Sequence, residues 1–191
     1  MLSNLLTAGT KVLGLSRLIN SGRPAFDGCY RVVAVGGTRA IEFFDRAPGN
    51  GEHAVTILPY RSGKIAQAPL GGGEVISGEF TGCVMATFRE GGSLFAGHVD
   101  TNKDTSQRAN WDARKAGGAE MIAECDTTGR IQAEHGAAAV ILCVAEGVNG
   151  AITHHHVSKA THAYGFKKTD ASPVASYTAE TIYTVIPSGA Y

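Results

Sequence analysis

Phe80–Phe88 (FTGCVMATF) and Ser93–Asp100 (SLFAGHVD) are two strand-like segments separated by the glycine-containing bend Arg89–Gly92. Apolar runs on both sides of such a bend are typical of a β-hairpin. The first segment carries a cysteine, Cys83, and the second a histidine, His98. Because side chains alternate between the two faces of a strand, the length of the bend decides whether Cys83 and His98 share a face.

Two simple registers of this hairpin bring Cys83 and His98 together. A two-residue turn at Gly91-Gly92 makes them diagonal neighbours on one face. A four-residue loop over Arg89–Gly92 places them directly opposite each other. An odd-length loop would put them on opposite faces. The two even registers therefore predict a cysteine–histidine pair.

Length and composition predict one folded domain over residues 1–191. Hydrophobic residues make up 43% of the chain and charged residues 18%, which is ordinary for a globular protein. Lysine plus arginine and aspartate plus glutamate both number 17, so no basic excess favours nucleic acid or an anionic membrane as a partner. No apolar run is long enough to predict a membrane span. The 25 glycines favour many short strands and turns.

The patterns predict an α+β chain of many short strands with two helical segments. Apolar spacing over Leu2–Ile19 predicts an N-terminal helical segment within residues 1–20, and Ser106–Ala116 predicts a helix with Trp111 as a packing anchor. Three further regions predict strands: a hairpin over Tyr30–Phe44, a continuous apolar run over Ala137–Val144, and an alternating segment over Thr178–Ile186.

The four cysteines and the histidine triplet limit the metal and redox hypotheses. Cys29, Cys83, Cys125 and Cys143 are widely spaced and form no CxxC pair, which favours reduced thiols over a disulfide scaffold. His154-His155-His156 would place two imidazoles on one face of a strand, but no third ligand follows at a recognisable spacing. No metal site is therefore predicted.

Cys83 and His98 are the remaining candidates for chemistry. A thiol becomes a useful nucleophile when a neighbouring imidazole accepts its proton. Gly82 carries no side chain, so backbone N–H groups near Cys83 can approach a developing oxyanion. The alternative is that Cys83 is only a buried apolar residue of a strand.

The tetrapeptide Phe80-Thr81-Gly82-Cys83 resembles the Leu-Ser-Gly-Cys motif of the glutamine deamidase toxins, which include the cytotoxic necrotizing factor catalytic domain and Burkholderia lethal factor. In that family a histidine follows the cysteine on the next strand, as His98 follows Cys83. Chemotaxis receptor deamidases have a related arrangement. The chain departs from the motif at Phe80 and Thr81, and the resemblance covers only about residues 80–100.

The resemblance implies a β-sandwich flanked by helices and a cofactor-independent protein glutamine deamidase. Cys83 would attack the glutamine carboxamide and His98 would act as acid and base. The family's third group orients the histidine through a side chain or a backbone carbonyl, and Ser77, six residues before Cys83, matches the side-chain version. Asp100 is a rival, because the two-residue register places it opposite Cys83.

The resemblance also implies a partner and a compartment. The substrate would be a host protein, with small GTPases and translation factors as the precedents, and the enzyme is expected to be a monomer. A toxin of this kind would reach a host cytosol by a non-classical secretion route, while the bacterial cytoplasm is the alternative location.

Other functions stay open on the sequence. A cysteine protease or a transglutaminase would use the same pair, because each begins with thiolate attack on an amide. A non-enzymatic partner-binding β protein would use Cys83 only as core. A metal-dependent enzyme would use the histidine triplet.

Overall fold

The fold is mostly β, in a computed structural model that describes residues 1–128, 139–164 and 178–187. The helices are α1 (Leu15–Ile19) and α2 (Arg108–Ala116), preceded by a 3₁₀ turn at Leu2–Asn4. The strands are β1 (Lys11–Leu13), β2 (Phe26–Val35), β3 (Thr38–Phe44), β4 (His53–Ile57), β5 (Ile65–Pro69), β6 (Glu74–Phe80), β7 (Val84–Glu90), β8 (Ser93–Val99), β9 (Glu120–Asp126), β10 (Ala139–Glu146), β11 (Ile152–Tyr164) and β12 (Thr178–Val185). No helix of the described residues is long and apolar enough to span a membrane.

Eight strands close into a barrel in the order β1-β12-β11-β10-β6-β4-β2-β3, and the prediction of a β-sandwich is wrong for this sheet. The closing strand is β1, which pairs antiparallel with β12 and parallel with β3. A second, four-stranded sheet has the order β5-β8-β7-β9. The sequence therefore predicted a β-rich fold with two helices, but not the closure of one sheet on itself.

The single helix predicted over Leu2–Ile19 is also wrong, and this error explains the missed barrel. Gly9 and Gly14 have φ values of 84° and 74°, which interrupt a helix, and the extended β1 lies between them. A Cβ at Gly14 would lie 2.5 Å from the Phe43 carbonyl oxygen, so the close approach of β3 requires glycine there. Only the last turn, α1, is an α-helix.

The apolar residues of this N-terminal segment are nevertheless buried as their spacing predicted. They enter the core of the barrel, and they are Leu2, Leu6, Val12, Leu15, Leu18 and Ile19. The periodicity thus identified a buried face, while the backbone reaches it through a 3₁₀ turn, a strand and a short helix.

Strand β10 separates the barrel core from a second core between the two sheets. Val140, Leu142 and Val144 belong to the barrel core. Ile141 and Cys143 alternate with them and belong to the interlayer core, which also includes residues of the second sheet. Both faces of β10 are buried, as its continuous apolar sequence predicted. Residues 137 and 138 of the predicted strand lie outside the described range.

Helix α2 covers the outer face of the second sheet. Its Trp111 is 1% exposed and packs edge-on against Phe88 of β7, with ring centroids 5.2 Å apart. The indole N–H donates a hydrogen bond to Glu124 Oε2 at 2.9 Å. The prediction of Trp111 as a packing anchor is confirmed, and the second sheet is buried on its inner face by the barrel and on its outer face by α2.

The β7–β8 hairpin has the two-residue turn. Met85 pairs with His98 and Glu90 with Ser93, which leaves Gly91 and Gly92 as the turn. Both glycines have positive φ, 57° and 80°, as a type I′ turn requires. The four-residue alternative is wrong, and the observed register places Cys83 and His98 on one face as diagonal neighbours.

We expect Gly92→Val to destabilise the protein by about 1–2 kcal/mol, because a β-branched residue is strained at positive φ. A Cβ at Gly92 would meet no atom within 4 Å, so the effect is conformational and not steric. Gly92→Asn is the matched control, since asparagine tolerates this region, and it should stay within about 0.5 kcal/mol of the wild type. Urea unfolding curves measure both, and equal losses for Val and Asn would contradict the assigned turn.

Candidate active site

Cys83 lies where the chain leaves the barrel and enters the second sheet. It stands between Phe80, the last residue of β6, and Val84, the first residue of β7. Its side chain is 6% exposed and belongs to the interlayer core. The two preceding motif residues are more accessible: Thr81 is exposed and Gly82 is partly exposed. The thiol is therefore recessed behind a short accessible segment.

His98 lies on the face of β8 that packs against the barrel, where it is buried and hydrogen-bonded to strand β6. Its Nδ1 lies 2.9 Å from the Ser77 hydroxyl of β6, and the imidazole is 2% exposed. The Ser77 hydroxyl donates its single proton to the Leu58 carbonyl oxygen at 2.7 Å. The Ser77 oxygen must then accept from His98, which assigns the proton to Nδ1 and leaves a lone pair on Nε2.

Two aromatic rings enclose His98. Phe80 stacks on the imidazole with centroids 4.1 Å apart and an interplanar angle of 25°. Tyr60 approaches from another side, with its centroid 5.4 Å away. This burial lowers the pKa of His98 to about 3, against a smaller opposing effect of the Asp100 charge. His98 is therefore neutral at physiological pH.

Nε2 of His98 is buried and has no hydrogen-bond partner among the described residues. An unpaired buried nitrogen costs about 1–3 kcal/mol, so its presence needs an explanation. Cys83 shares this face of the hairpin but does not hydrogen-bond Nε2 in the structure. The free lone pair is the acceptor atom that a general base needs, although a pKa of about 3 makes this imidazole a weak base in the free protein.

The Cys83 thiol is protonated in the resting protein. Burial raises the pKa of Cys83, and the backbone N–H and the hydroxyl of Thr101 act in the opposite direction. Among the nearby charges, Asp100 raises this pKa further and Arg108 lowers it. The resting pair is thus a neutral thiol and a neutral imidazole, with the backbone N–H of Thr101 beside the sulfur to favour the thiolate when it forms.

Three threonines hold the Gly82–Cys83 backbone. Thr127 accepts a hydrogen bond from the Gly82 N–H at 3.1 Å and donates one to the Cys83 carbonyl at 2.7 Å. Thr101 and Thr128 both donate to the Gly82 carbonyl, at 2.5 Å and 3.0 Å. Sequence reasoning missed these threonines, because their contacts to Gly82 and Cys83 span 19 to 46 residues.

Asp100, the sequence-derived rival of Ser77, is engaged elsewhere. Its carboxylate accepts hydrogen bonds from the N–H groups of Gly63 and Asn102 at 2.7 Å and 2.9 Å, and from the Thr105 hydroxyl at 2.5 Å. Burial by itself would raise the pKa of Asp100, but these hydrogen bonds lower it overall. Asp100 therefore organises two loops beside the site, and in the described structure His98 donates its hydrogen bond to Ser77.

The histidine triplet lies on β11, and His154 and His156 share a face, as the strand pattern predicted. Their rings are 5.8 Å apart, and they pair with Cys143 and Ile141 of β10. Within residues 1–128, 139–164 and 178–187, no group of three or more His, Cys, Asp or Glu residues could hold a metal ion. The described part of the chain therefore offers no ligand set for the metal-dependent alternative.

A separate cleft of about 420 Å³ is bordered by three glutamates, Glu52, Glu74 and Glu146. Two of these carboxylates hold the N-terminus: Glu74 accepts from the Leu2 N–H at 2.5 Å, and Glu146 from the Ser3 hydroxyl at 2.9 Å. Glu52 is bound by Arg46 at 2.5 Å. The acidic lining of the cleft thus has a structural role, and neither Cys83 nor His98 borders it.

Neither protein-family models nor curated protein sequences match this chain in comparisons with known proteins. The assignment of a function to the Cys83–His98 site therefore rests on the geometry of the site and on the short motif around Cys83.

The burial of His98 predicts a pH-dependent stability. Because its folded pKa, about 3, lies below its ordinary value of 6.5, the unfolded chain takes up the proton first as pH falls. His98 thus contributes stability that is complete above pH 6.5 and is lost as pH falls towards 3. The free energy of unfolding of the wild type should fall between pH 7.5 and pH 5. We expect this fall to be about 2 kcal/mol smaller in His98→Gln. Urea unfolding across this range measures the loss.

His155→Gln is the second variant for this measurement, and it is compared with His98→Gln. Burial, with smaller effects of His154 and His156, lowers the pKa of His155 to about 4, so it should account for a second, separate part of the same pH dependence. Identical pH slopes for the wild type and His98→Gln would contradict a neutral, buried His98.

Proposed function

We propose that this protein is a protein glutamine deamidase in which Cys83 is the nucleophile and His98 the acid and base. The observation that carries the proposal is the buried imidazole of His98, which the Ser77 hydroxyl holds with a free Nε2 lone pair beside the interlayer core that contains Cys83. The resemblance of Phe80–Cys83 to the deamidase toxin motif supports the same assignment.

The reaction begins with transfer of the thiol proton to Nε2 of His98 as the Cys83 sulfur attacks the carboxamide carbon. The tetrahedral intermediate collapses when the C–N bond breaks and His98 returns the proton to the departing ammonia. Water then adds to the thioester and gives a proton to Nε2. Breakage of the C–S bond releases glutamate and restores the thiol. Substrate binding has to bring the sulfur and Nε2 within hydrogen-bond distance, a tightening that is common between free and bound enzymes.

The recessed thiol favours a side-chain amide over a main-chain amide. Cys83 is only 6% exposed, and the accessible approach is over Gly82, where a Cβ would meet no atom within 4 Å. A glutamine carboxamide ends a slim, flexible arm that can enter such a recess. A peptide bond that is to be cleaved would have to enter the recess together with the polypeptide chain on both of its sides. This geometry supports deamidation over proteolysis.

The proposed substrate is a host protein, with a small GTPase or a translation factor as the precedent from the resemblance. All four cysteines are buried thiols, which fits a reducing compartment such as a host cytosol or a bacterial cytoplasm.

Cys83→Ala should abolish conversion of glutamine to glutamate, because it removes the nucleophile. Cys125→Ala is the matched control: Cys125 is also buried in the interlayer core, at 5% exposure, and should retain activity. Purified variants are incubated with eukaryotic lysate, and peptide mass spectrometry identifies sites that gain the mass difference between glutamine and glutamate.

Conversions that persist with Cys83→Ala would exclude this mechanism. Absence of conversions with the wild type would favour a partner-binding protein. Cleaved chains would instead indicate a protease, and attachment of an added amine would indicate a transglutaminase.

Ser77→Ala should lower kcat by roughly 10²-fold with a small change in KM, because Nδ1 loses the acceptor that assigns the proton of His98. Ser77→Thr keeps the hydroxyl and should recover most of the lost rate. Steady-state kinetics on a deamidated protein identified in the lysate measures both variants. Wild-type kcat in Ser77→Ala would show that Ser77 does not orient His98.

A further inference from the structure

Glu79 is the only non-glycine residue of the described chain with positive φ, at 56°. It lies on β6 between Ser77, which binds His98, and Phe80, which stacks on His98. A side chain at positive φ typically costs on the order of 1–3 kcal/mol and persists only where its surroundings hold it there.

The conformation of Glu79 is that of a β-bulge. Gly78 pairs with Leu142 and Phe80 pairs with Ile141, so the adjacent residues Ile141 and Leu142 of β10 face three residues of β6 and Glu79 is the extra one. In a regular strand Ser77 and residue 79 would share a face, and Phe80 would point to the other. The bulge instead puts Ser77 opposite Cys143 and Phe80 opposite Ile141, two positions on the interlayer face of β10. Both side chains can therefore reach His98 only because Glu79 is left out of the ladder.

The Glu79 carboxylate is bound by three other elements of the barrel. It accepts a hydrogen bond from Ser16 of α1 at 3.1 Å and from the Tyr183 hydroxyl of β12, and it forms an ion pair with Lys159 of β11 at 2.6 Å. Burial by itself would raise the pKa of Glu79, but the bonds from Lys159 and Tyr183 outweigh it and keep the carboxylate ionised. These charge-assisted bonds are of the strength needed to offset the backbone strain.

We infer that Glu79 is a positioning residue of the Cys83–His98 site, whose carboxylate holds the β-bulge that brings Ser77 and Phe80 together on His98. Glu79 acts through these two residues and does not touch the reacting atoms. Its role in turnover rests on the proposed deamidase function, whereas its effect on the state of His98 does not.

The test uses Glu79→Ala, which has no carboxylate but keeps a Cβ that is strained at positive φ, so nothing offsets the strain of the bulge. Glu79→Gly accepts positive φ without strain and should keep the bulge, and Glu79→Gln keeps an acceptor for Ser16 and Tyr183. Glu74→Ala is the control, because Glu74 begins the same strand and also accepts hydrogen bonds, but lies at the far end from the bulge. Nitrogen-15 NMR of the histidine rings reports the tautomer and the pKa of His98 in the intact chain, and steady-state kinetics reports kcat and KM.

In Glu79→Ala we expect mixed tautomers of His98, a His98 pKa closer to 6.5, and a kcat at least about tenfold lower with little change in KM. Glu79→Gln and Glu79→Gly should retain most of the Nδ1–H tautomer, and Glu74→Ala should match the wild type. A folded Glu79→Ala with the wild-type His98 tautomer and pKa would overturn the inference. A wild type without deamidase activity whose His98 signals still change in Glu79→Ala would overturn the proposed function and uphold the positioning role.

Discussion

The hydrogen bond between Ser77 and His98 joins the barrel to the second sheet. It crosses the interlayer core, which includes Phe80, Met85 and Ile141. An imidazole in such a place is costly wherever its polar atoms are not bonded, because desolvation of an unpaired group costs more than the net gain of one hydrogen bond. Ser77 satisfies one nitrogen and, by doing so, assigns the proton that leaves the other nitrogen free.

Two costly features of the structure lie next to one another. One is the unpaired Nε2 of His98 and the other is the positive φ of Glu79. Both belong to the contact between β6 and the imidazole, since Ser77 and Phe80 of the bulged strand both touch the ring. Local strain and unsatisfied polar atoms cluster at functional sites when well-packed surroundings hold them. Here the surroundings are the filled barrel core on one side and the sheet covered by Trp111 on the other.

Elements with strong local patterns could be predicted from the sequence. The β7–β8 hairpin follows from Gly91-Gly92 between apolar strands, and the buried strand β10 follows from its continuous apolar run. The N-terminal segment could not, because Leu2–Ile19 has the apolar spacing of a helix while the close approach of Gly14 to Phe43 of β3 favours the extended β1. Since β1 is the strand that closes the barrel, this local error hid the closure, while the expectation of a sandwich came from the resemblance.

What the sequence by itself determined is the hairpin and the even registers that give Cys83 and His98 a common face, because alternation along a strand and the length of a turn are local properties. It left Asp100 as a rival to Ser77, which the resemblance indicated as the partner of His98. Only the tertiary structure decided between them, since Ser77 belongs to the barrel and Asp100 is bound by the loops at Gly63 and Thr105. The bulge at Glu79 and the threonines around Gly82 were likewise decided by contacts between residues 19 or more positions apart, which no local pattern records.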